Sequence, residues 1–245
     1  MTSEPVRQAC ILVGGKGTRL GELTHLTPKP LIEIGGGAVF LDIVLEQLAR
    51  QGFDDIMLLA GHLGDVVRAR YDGRSFGAAR IRVTVEQEPL GTAGALAAAR
   101  DAMAPRFLLV NGDTLFAIDL RALCAQSDRL DCEALIALHR VPDASRYGSV
   151  VLEGDRIVSF AEKQQMAGAA LINGGISVMR ASIIDRVRTL PCSMESAIFP
   201  ELAAKGLLFG NVSEGYFIDI GLPETLERAR RELTALARRA AELAP

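Results

Sequence analysis

The 245-residue chain predicts an α/β fold, a doubly wound, mostly parallel mixed sheet followed by a β-rich second half. Two observations carry the first half. Short apolar runs alternate with stretches of helical periodicity. Those runs are apolar throughout, as strands are when helices cover both faces of a parallel sheet. The third observation is a change of rhythm near residue 140, where strand-like segments joined by short turns take over.

In order, strands are expected at 8–13, 55–60, 81–86 and 106–110. Helices are expected between them at 39–51, 63–71 and 92–103, with Gly52 ending the first. The segments ALIALHR, YGSVVLE, GDRIVSFAEK and AALINGGISVM read as strands, with Glu153-Gly154-Asp155 as a turn. Helices should follow near 181–188 and 194–204, and a final amphipathic one from about 223 to 243. That last helix suits either a contact in a homo-oligomer or a lid on its own domain. No linker, repeat or low-complexity segment interrupts the pattern.

Composition narrows the function. Apolar residues make up 49% and charged residues 23%, as in a soluble globular protein. A net charge of −3 leaves no basic footprint for nucleic acid, so none is expected as a partner. No apolar run approaches the ~20 residues of a membrane span. The opening MTSEPVRQ lacks the layout of a signal peptide, and a cytoplasmic location is expected. Cys10, Cys124, Cys132 and Cys192 show neither CxxC pairing nor metal spacing. They read as small buried apolar residues in a reducing compartment.

Five stretches lie just past strand ends, where α/β sheets bind ligands. The first is VGGKGTRL, Val13–Leu20, continued through Pro30. Lys16 is followed by Gly17, so the P-loop pattern fails, and Leu20 stands where a dinucleotide fingerprint needs its third glycine. Glycines nevertheless let backbone N–H groups approach phosphates, with Arg19 and Lys29 adding charge at either end. A Gly-rich connector would explain the glycines alone. The second is EPLGTAGAL, Glu88–Leu96, whose two small-residue steps leave room for a flat ring. A tight strand-to-helix turn explains it equally well.

In the third, FLLVNGDTLF, Asp113 sits two residues past an apolar strand and suits Mg²⁺, which often takes only one or two protein carboxylates. Capping of the next turn is the plainer explanation. The fourth is FAEK, with Glu162 and Lys163, a surface pair when taken alone. In the fifth, YFIDIG, Asp219 is flanked by apolar residues and needs a cation, donors or a raised pKa. A second metal ligand beside Asp113 would meet that need.

The ordered series GGKGTRL, KP, PLGTAG, NGD, EK, NGG and DIG resembles the sugar-phosphate nucleotidylyltransferases, over about residues 8–228. The resemblance implies a Rossmann-like nucleotidyltransferase fold and a single domain over 1–245. Residues 1–115 would be its nucleotide-binding half and 116–245 its sugar-binding half. It implies that a sugar 1-phosphate oxygen attacks the α-phosphorus of a nucleoside triphosphate (NTP), with Mg²⁺ as cofactor and pyrophosphate released. By motif, Arg19, Lys29 and Lys163 match the catalytic cations, the last gripping the sugar phosphate. Gly14, Gly15, Gly17, Thr18, Glu88, Gly91 and Thr92 match the nucleotide side. Gly148, Glu162 and Asn173 match the sugar side, and Asp113 and Asp219 the metal pair.

The sequence also departs from the family. It reads GELTHLT where relatives often carry Pro and Thr after GTRL, and the β-helix segment of many relatives is not expected, as in short single-domain members. His25, His62 and His139 match no catalytic position and are expected to be structural or exposed. PLGTAG with NGD and FIDIG is similar to the D-glycero-D-manno-heptose 1-phosphate guanylyltransferases, which implies GTP. Mannose 1-phosphate guanylyltransferases and N-acetylmuramate 1-phosphate uridylyltransferases are near alternatives. A non-catalytic nucleotide-sugar-binding domain is the alternative of another class.

Overall fold

The computed structural model describes residues 4–144, 147–161 and 168–244. The chain forms two compact units. One, here the loop unit, comprises Arg7–Pro89, Val110–Leu115 and residues from Ile218 onward; the other, the middle unit, comprises Leu90–Leu109 and Phe116–Phe217 with the residues before Arg7.

The loop unit opens with β1 (Gln8–Leu12), then the short hairpin β2 (Glu33–Gly35) and β3 (Ala38–Val39), α1 (Phe40–Arg50) and β4 (Asp55–Ala60). After these come α2 (Gly64–Tyr71), β5 (Ser75–Phe76) and β6 (Ala79–Val85). β1, β4 and β6 run parallel, with Gln8 opposite Asp55 and Asp55 opposite Arg80, while β5 closes the edge antiparallel. β4 is buried from Ile56 to Ala60, which explains why its sequence is apolar without alternation. α1 ends where expected, with Gly52 at φ +79° taking the left-handed step beyond the last turn.

The middle unit begins with α3 (Gly91–Ala98), shorter than the 92–103 helix expected, because the chain tightens to a 3₁₀ turn at Arg100–Ala102. β7 (Arg106–Asn111) and β8 (Thr114–Ala117) follow, then α4 (Leu120–Arg129), capped by the Asp119 carboxylate accepting from the Ala122 N–H at 2.8 Å. Next come β9 (Ala134–Val141), β10 (Ser149–Glu153), β11 (Arg156–Ala161) and β12 (Ala170–Arg180). β9 lies antiparallel to β12, and β10 pairs antiparallel with both β11 and β12. The helix expected near 181–188 is a 3₁₀ turn at Ala181–Arg186. A π turn at Met194–Ile198 precedes α5 (Phe199–Ala204), where Pro200 has no N–H to give. β13 (Leu208–Val212) then pairs parallel with β9.

β14 (Tyr216–Asp219) returns the chain to the loop unit, which ends with α6 (Pro223–Glu232) and α7 (Thr234–Leu243). A single helix over 223–243 was expected. It is interrupted at Leu233, at φ −97° and ψ 9°, beside which the Thr234 hydroxyl donates to the Arg230 carbonyl at 3.0 Å. Ala237 and Ala240 are fully buried as α7 packs on α1, β2 and β3, so this helix covers its own unit. The four cysteines are free and buried, as expected.

Candidate active site

The glycine loop follows β1 directly. The Val13 N–H bonds to the Leu59 carbonyl at 2.9 Å and the His62 N–H to the Gly14 carbonyl at 3.2 Å, tying the loop to the end of β4. A Cβ at Gly14 would lie 3.1 Å from the Gly61 nitrogen, so both turns need their glycines to pass. Gly17 has φ +65°, and a Cβ there would meet Thr24 Cγ2 at 2.8 Å and Lys29 Cβ at 3.1 Å. The Thr24 hydroxyl lies 3.2 Å from the Gly17 carbonyl. The loop is thereby folded down onto Lys29, while Gly15, Thr18 and Arg19 stay exposed.

Lys29 is nearly buried, with 11% of its side chain exposed, and forms an ion pair with Asp113. Asp113 stands just past β7, where the Gly112 N–H bonds to the Leu12 carbonyl at 3.0 Å. The Ile220 N–H bonds to the Asp113 carbonyl at 3.0 Å, which sets Asp219 on the neighbouring strand end. Asp219 accepts from the Gly221 N–H at 3.0 Å. A Cβ at Gly221 would lie 2.8 Å from Asp219 Oδ1 and 3.3 Å from Arg19 Nη2, so Arg19 and Asp219 flank one glycine. Arg19, Lys29, Asp113 and Asp219, far apart in sequence, gather at the carboxyl ends of the parallel strands. No group of three or more metal-ligating side chains occurs among the described residues.

Beside this cluster is a cavity of about 260 Å³ whose lining includes Gly14, Lys16, Gly61, His62, Glu86 and Glu88. Glu88 was expected there. Lys16, His62 and Glu86 were not, and His62 is half-buried on the cavity wall. The missed signal is positional, since Gly61-His62 and Glu86 follow β4 and β6 as the glycine loop follows β1. Gly61 makes the room that Glu86 fills, because a Cβ there would stand 2.3 Å from Glu86 Oε1.

The remaining candidates belong to the middle unit. Gly91 has φ +78°, and its missing Cβ faces the main chain of Cys192, with 2.4 Å to the carbonyl oxygen; that of Gly94 faces Leu190. The small residues of GTAG therefore admit a neighbouring segment of the protein rather than a flat ring at those two Cα positions. Thr92 donates to Glu195 at 2.9 Å and accepts from the Met194 N–H at 2.7 Å, so its hydroxyl is engaged within the fold. Asn173 is half-buried on β12 and accepts from the Gly175 N–H at 2.9 Å. Gly148 is half-buried before β10. Glu162 and Lys163 lie outside the described residues.

His139 is structural, as expected, stacked on Phe217 at 4.7 Å with Phe116 edge-on at 5.1 Å. Burial pushes its pKa below the ordinary histidine value, partly offset by a backbone hydrogen bond at Ser213. His25 is exposed.

Known proteins resemble this chain over most of its length. The D-glycero-alpha-D-manno-heptose 1-phosphate guanylyltransferase of Aneurinibacillus thermoaerophilus is 32% identical over 228 residues, covering 92% of this chain and 98% of that protein. A probable mannose-1-phosphate guanylyltransferase 1 of Oryza sativa subsp. japonica is 36% identical over 223 residues, covering 88% of this chain. This chain spans 62% of that longer relative. The crystal structure of HddC from Yersinia pseudotuberculosis superposes with a TM-score of 0.80 at 30% identity, covering 94% of this chain and all of that one. The same protein complexed with GMP-PN gives 0.79. The nucleotidyl transferase family profile matches residues 8–235, and the chain belongs to that family as a sugar-1-phosphate nucleotidyltransferase.

Proposed function

We propose that the chain transfers GMP from GTP to D-glycero-α-D-manno-heptose 1-phosphate, giving GDP-heptose and pyrophosphate for surface polysaccharide assembly from the cytoplasm. The observation that carries it is the gathering of Arg19, Lys29, Asp113 and Asp219 beside the Glu86 cavity, at the carboxyl ends of parallel strands. In the reaction a sugar-phosphate oxygen attacks the α-phosphorus. The bond to the bridging oxygen of the β-phosphate breaks, and pyrophosphate carries away the charge. The nucleophile is already anionic, so positioning and charge stabilisation suffice and no general base is needed.

Arg19 offers a fork to the leaving pyrophosphate, and Lys29 a charge to the α-phosphate side. Gly14 and Gly15 let the main chain come close to the phosphates. Glu86 supports guanine, since a carboxylate only accepts and guanine presents two adjacent donors, N1–H and the N2 amino group. Gly148 and Asn173 are assigned to the sugar, and Glu162 and Lys163 to the sugar and its phosphate.

The residues fit Mg²⁺. Two hard carboxylates are held on neighbouring strand ends, and Asp113 already pairs with a cation in Lys29. Two protein ligands suit an ion that keeps water and phosphate oxygens for its other positions. Asp113 and Asp219 would hold it, and bound Mg²⁺ would offset charge on the phosphates.

The heptose is supported by the Aneurinibacillus relative, matched over 98% of its length. Mannose 1-phosphate is the second reading, supported by the higher identity of the Oryza relative, 36%. The test offers GTP, UTP, dTTP, CTP and ATP separately with each of three sugar 1-phosphates, heptose, mannose and N-acetylmuramate, and follows pyrophosphate. Release with GTP and the heptose, abolished by a chelator and restored by Mg²⁺, is expected. Release with mannose 1-phosphate instead selects the second reading, and silence with every pair overturns guanylyl transfer to these sugars.

A further inference from the structure

A second cavity of the loop unit, about 920 Å³, lies at the opposite ends of the parallel strands. Its lining includes Arg7 ahead of β1, Asp54 and Asp55 at the start of β4, Arg80 and Arg82 on β6, and Arg74 before β5. β4 has six residues, so about 20 Å of strand separates this edge from the glycine loop. Four arginines and two aspartates give the lining a formal charge of +2, in a chain whose net charge is −3.

The two aspartates are already committed. Asp54 takes both Arg7 nitrogens that reach it, and Asp55 holds Arg82 with oxygens at 2.8 and 3.0 Å while accepting from Gln8 Nε2 at 2.8 Å. Among the described residues, the Arg74 and Arg80 side chains form no ion pair. Their backbones are fixed, since the Arg74 carbonyl accepts from the Ile81 N–H at 2.8 Å and the Arg80 N–H bonds to the Asp54 carbonyl at 2.8 Å. Ser75, opposite Arg80 in the β5–β6 register, brings a hydroxyl to the same concavity.

We propose that this cavity is a second ligand site, taking a small molecule that bears a phosphate monoester on Arg74 and Arg80. Two guanidinium forks without acidic partners among the described residues match the charge of one phosphate dianion. The volume is that of a metabolite pocket. Asp54 and Asp55, interleaved with the arginines, repel the repeated phosphates of a nucleic-acid strand. The site is independent of the nucleotide loop and of the reaction proposed there.

The test is calorimetric titration of the full chain with inorganic phosphate, glucose 6-phosphate and GMP as three arms. The wild type is compared with the double variant Arg74→Ala/Arg80→Ala and with Arg19→Ala. Saturable binding of inorganic phosphate and glucose 6-phosphate is expected, weakened about tenfold or more in the double variant and unchanged in Arg19→Ala, while GMP, which the nucleotide loop also takes, should show a second component that the double variant alone loses. The tighter of the last two arms, counting only the binding that the double variant loses, identifies a sugar phosphate or a nucleotide as the source. Both arginines are exposed, and an unchanged unfolding midpoint checks that the double variant is folded. The charge-preserving Arg74→Lys/Arg80→Lys should recover part of the affinity. Absence of saturable binding in every arm, or isotherms that Arg74→Ala/Arg80→Ala leaves unchanged, overturns the proposal.

Discussion

In the loop unit, glycines at 14, 17 and 61 let one main-chain segment pass another at strand ends and bring Lys29 and Glu86 into place. In the middle unit, Gly174 on β12 makes room for an aromatic ring: a Cβ there would lie 2.5 Å from Phe116 Cδ1 and 2.8 Å from the Ala137 carbonyl. That ring belongs to an aromatic cluster with His139, Phe217 and Tyr147, of which Phe217 and Tyr147 pack on Val141, Ala144 and Ile172. One unit uses the missing Cβ to assemble charge, the other to assemble a core. Damage in the first should therefore appear as lost activity and in the second as lost stability.

The largest effect expected is on turnover. Arg19 is exposed, so Arg19→Ala should leave the unfolding midpoint in place while kcat for pyrophosphate release falls about 10²–10³-fold, as when a charge-stabilising donor is removed. Activity within tenfold of wild type would remove Arg19 from the catalytic set. Gly174→Ala should destabilise by about 1–3 kcal/mol through overpacking against Phe116 and Ala137. Read in thermal unfolding, that is a drop of several degrees, and the activity of the remaining folded protein should be little changed.

Gly17→Ala sharpens the contrast. Its φ of +65° costs a non-glycine residue roughly 1–2 kcal/mol, and the new Cβ pushes on Thr24 and Lys29. Its loss of activity should exceed that of Gly174→Ala at a similar or smaller loss of midpoint. Equal activity losses in the two variants would erase the distinction between the units.

The smallest effect concerns pH. His139 has its pKa lowered by burial, and among the described residues its Nδ1 has no hydrogen-bond partner. The unfolded chain therefore binds this proton more readily than the folded one. The neutral-His contribution to stability is complete above the unfolded value near 6.5 and declines as pH falls below it toward the lowered folded value. Denaturant titrations at pH 7.5 and 5.5 should show wild type losing more stability than His139→Phe over that interval. Identical losses would mean that His139 does not titrate differently on folding.

Much of the fold was legible because it rests on local pattern. The unbroken apolar runs of β4 and β7, the period of α1 and the glycine at 52 each act within a few residues. α4 was not expected, although its Asp119 cap stands in the sequence, and the 3₁₀ turn at 181–186 and the interruption at Leu233 lie outside what hydrophobic periodicity encodes. The site was legible as residue types in order: glycines, then Arg19 and Lys29, then Asp113 and Asp219.

The sequence by itself determined which groups could bind phosphate and metal, because charge and backbone freedom are properties of single residues. Only the tertiary structure decided who meets whom. The approach of Gly17 to Lys29, the Ile220–Asp113 bond that seats Asp219, and the recruitment of His62 and Glu86 all join strand ends distant in the chain. The same holds at the far edge, where among the described residues Asp54 pairs with Arg7 and Asp55 with Arg82, although Asp55 stands opposite Arg80 in the register, and Arg74 and Arg80 form no ion pair. Strand pairing sets such distances, and no short stretch of sequence contains them.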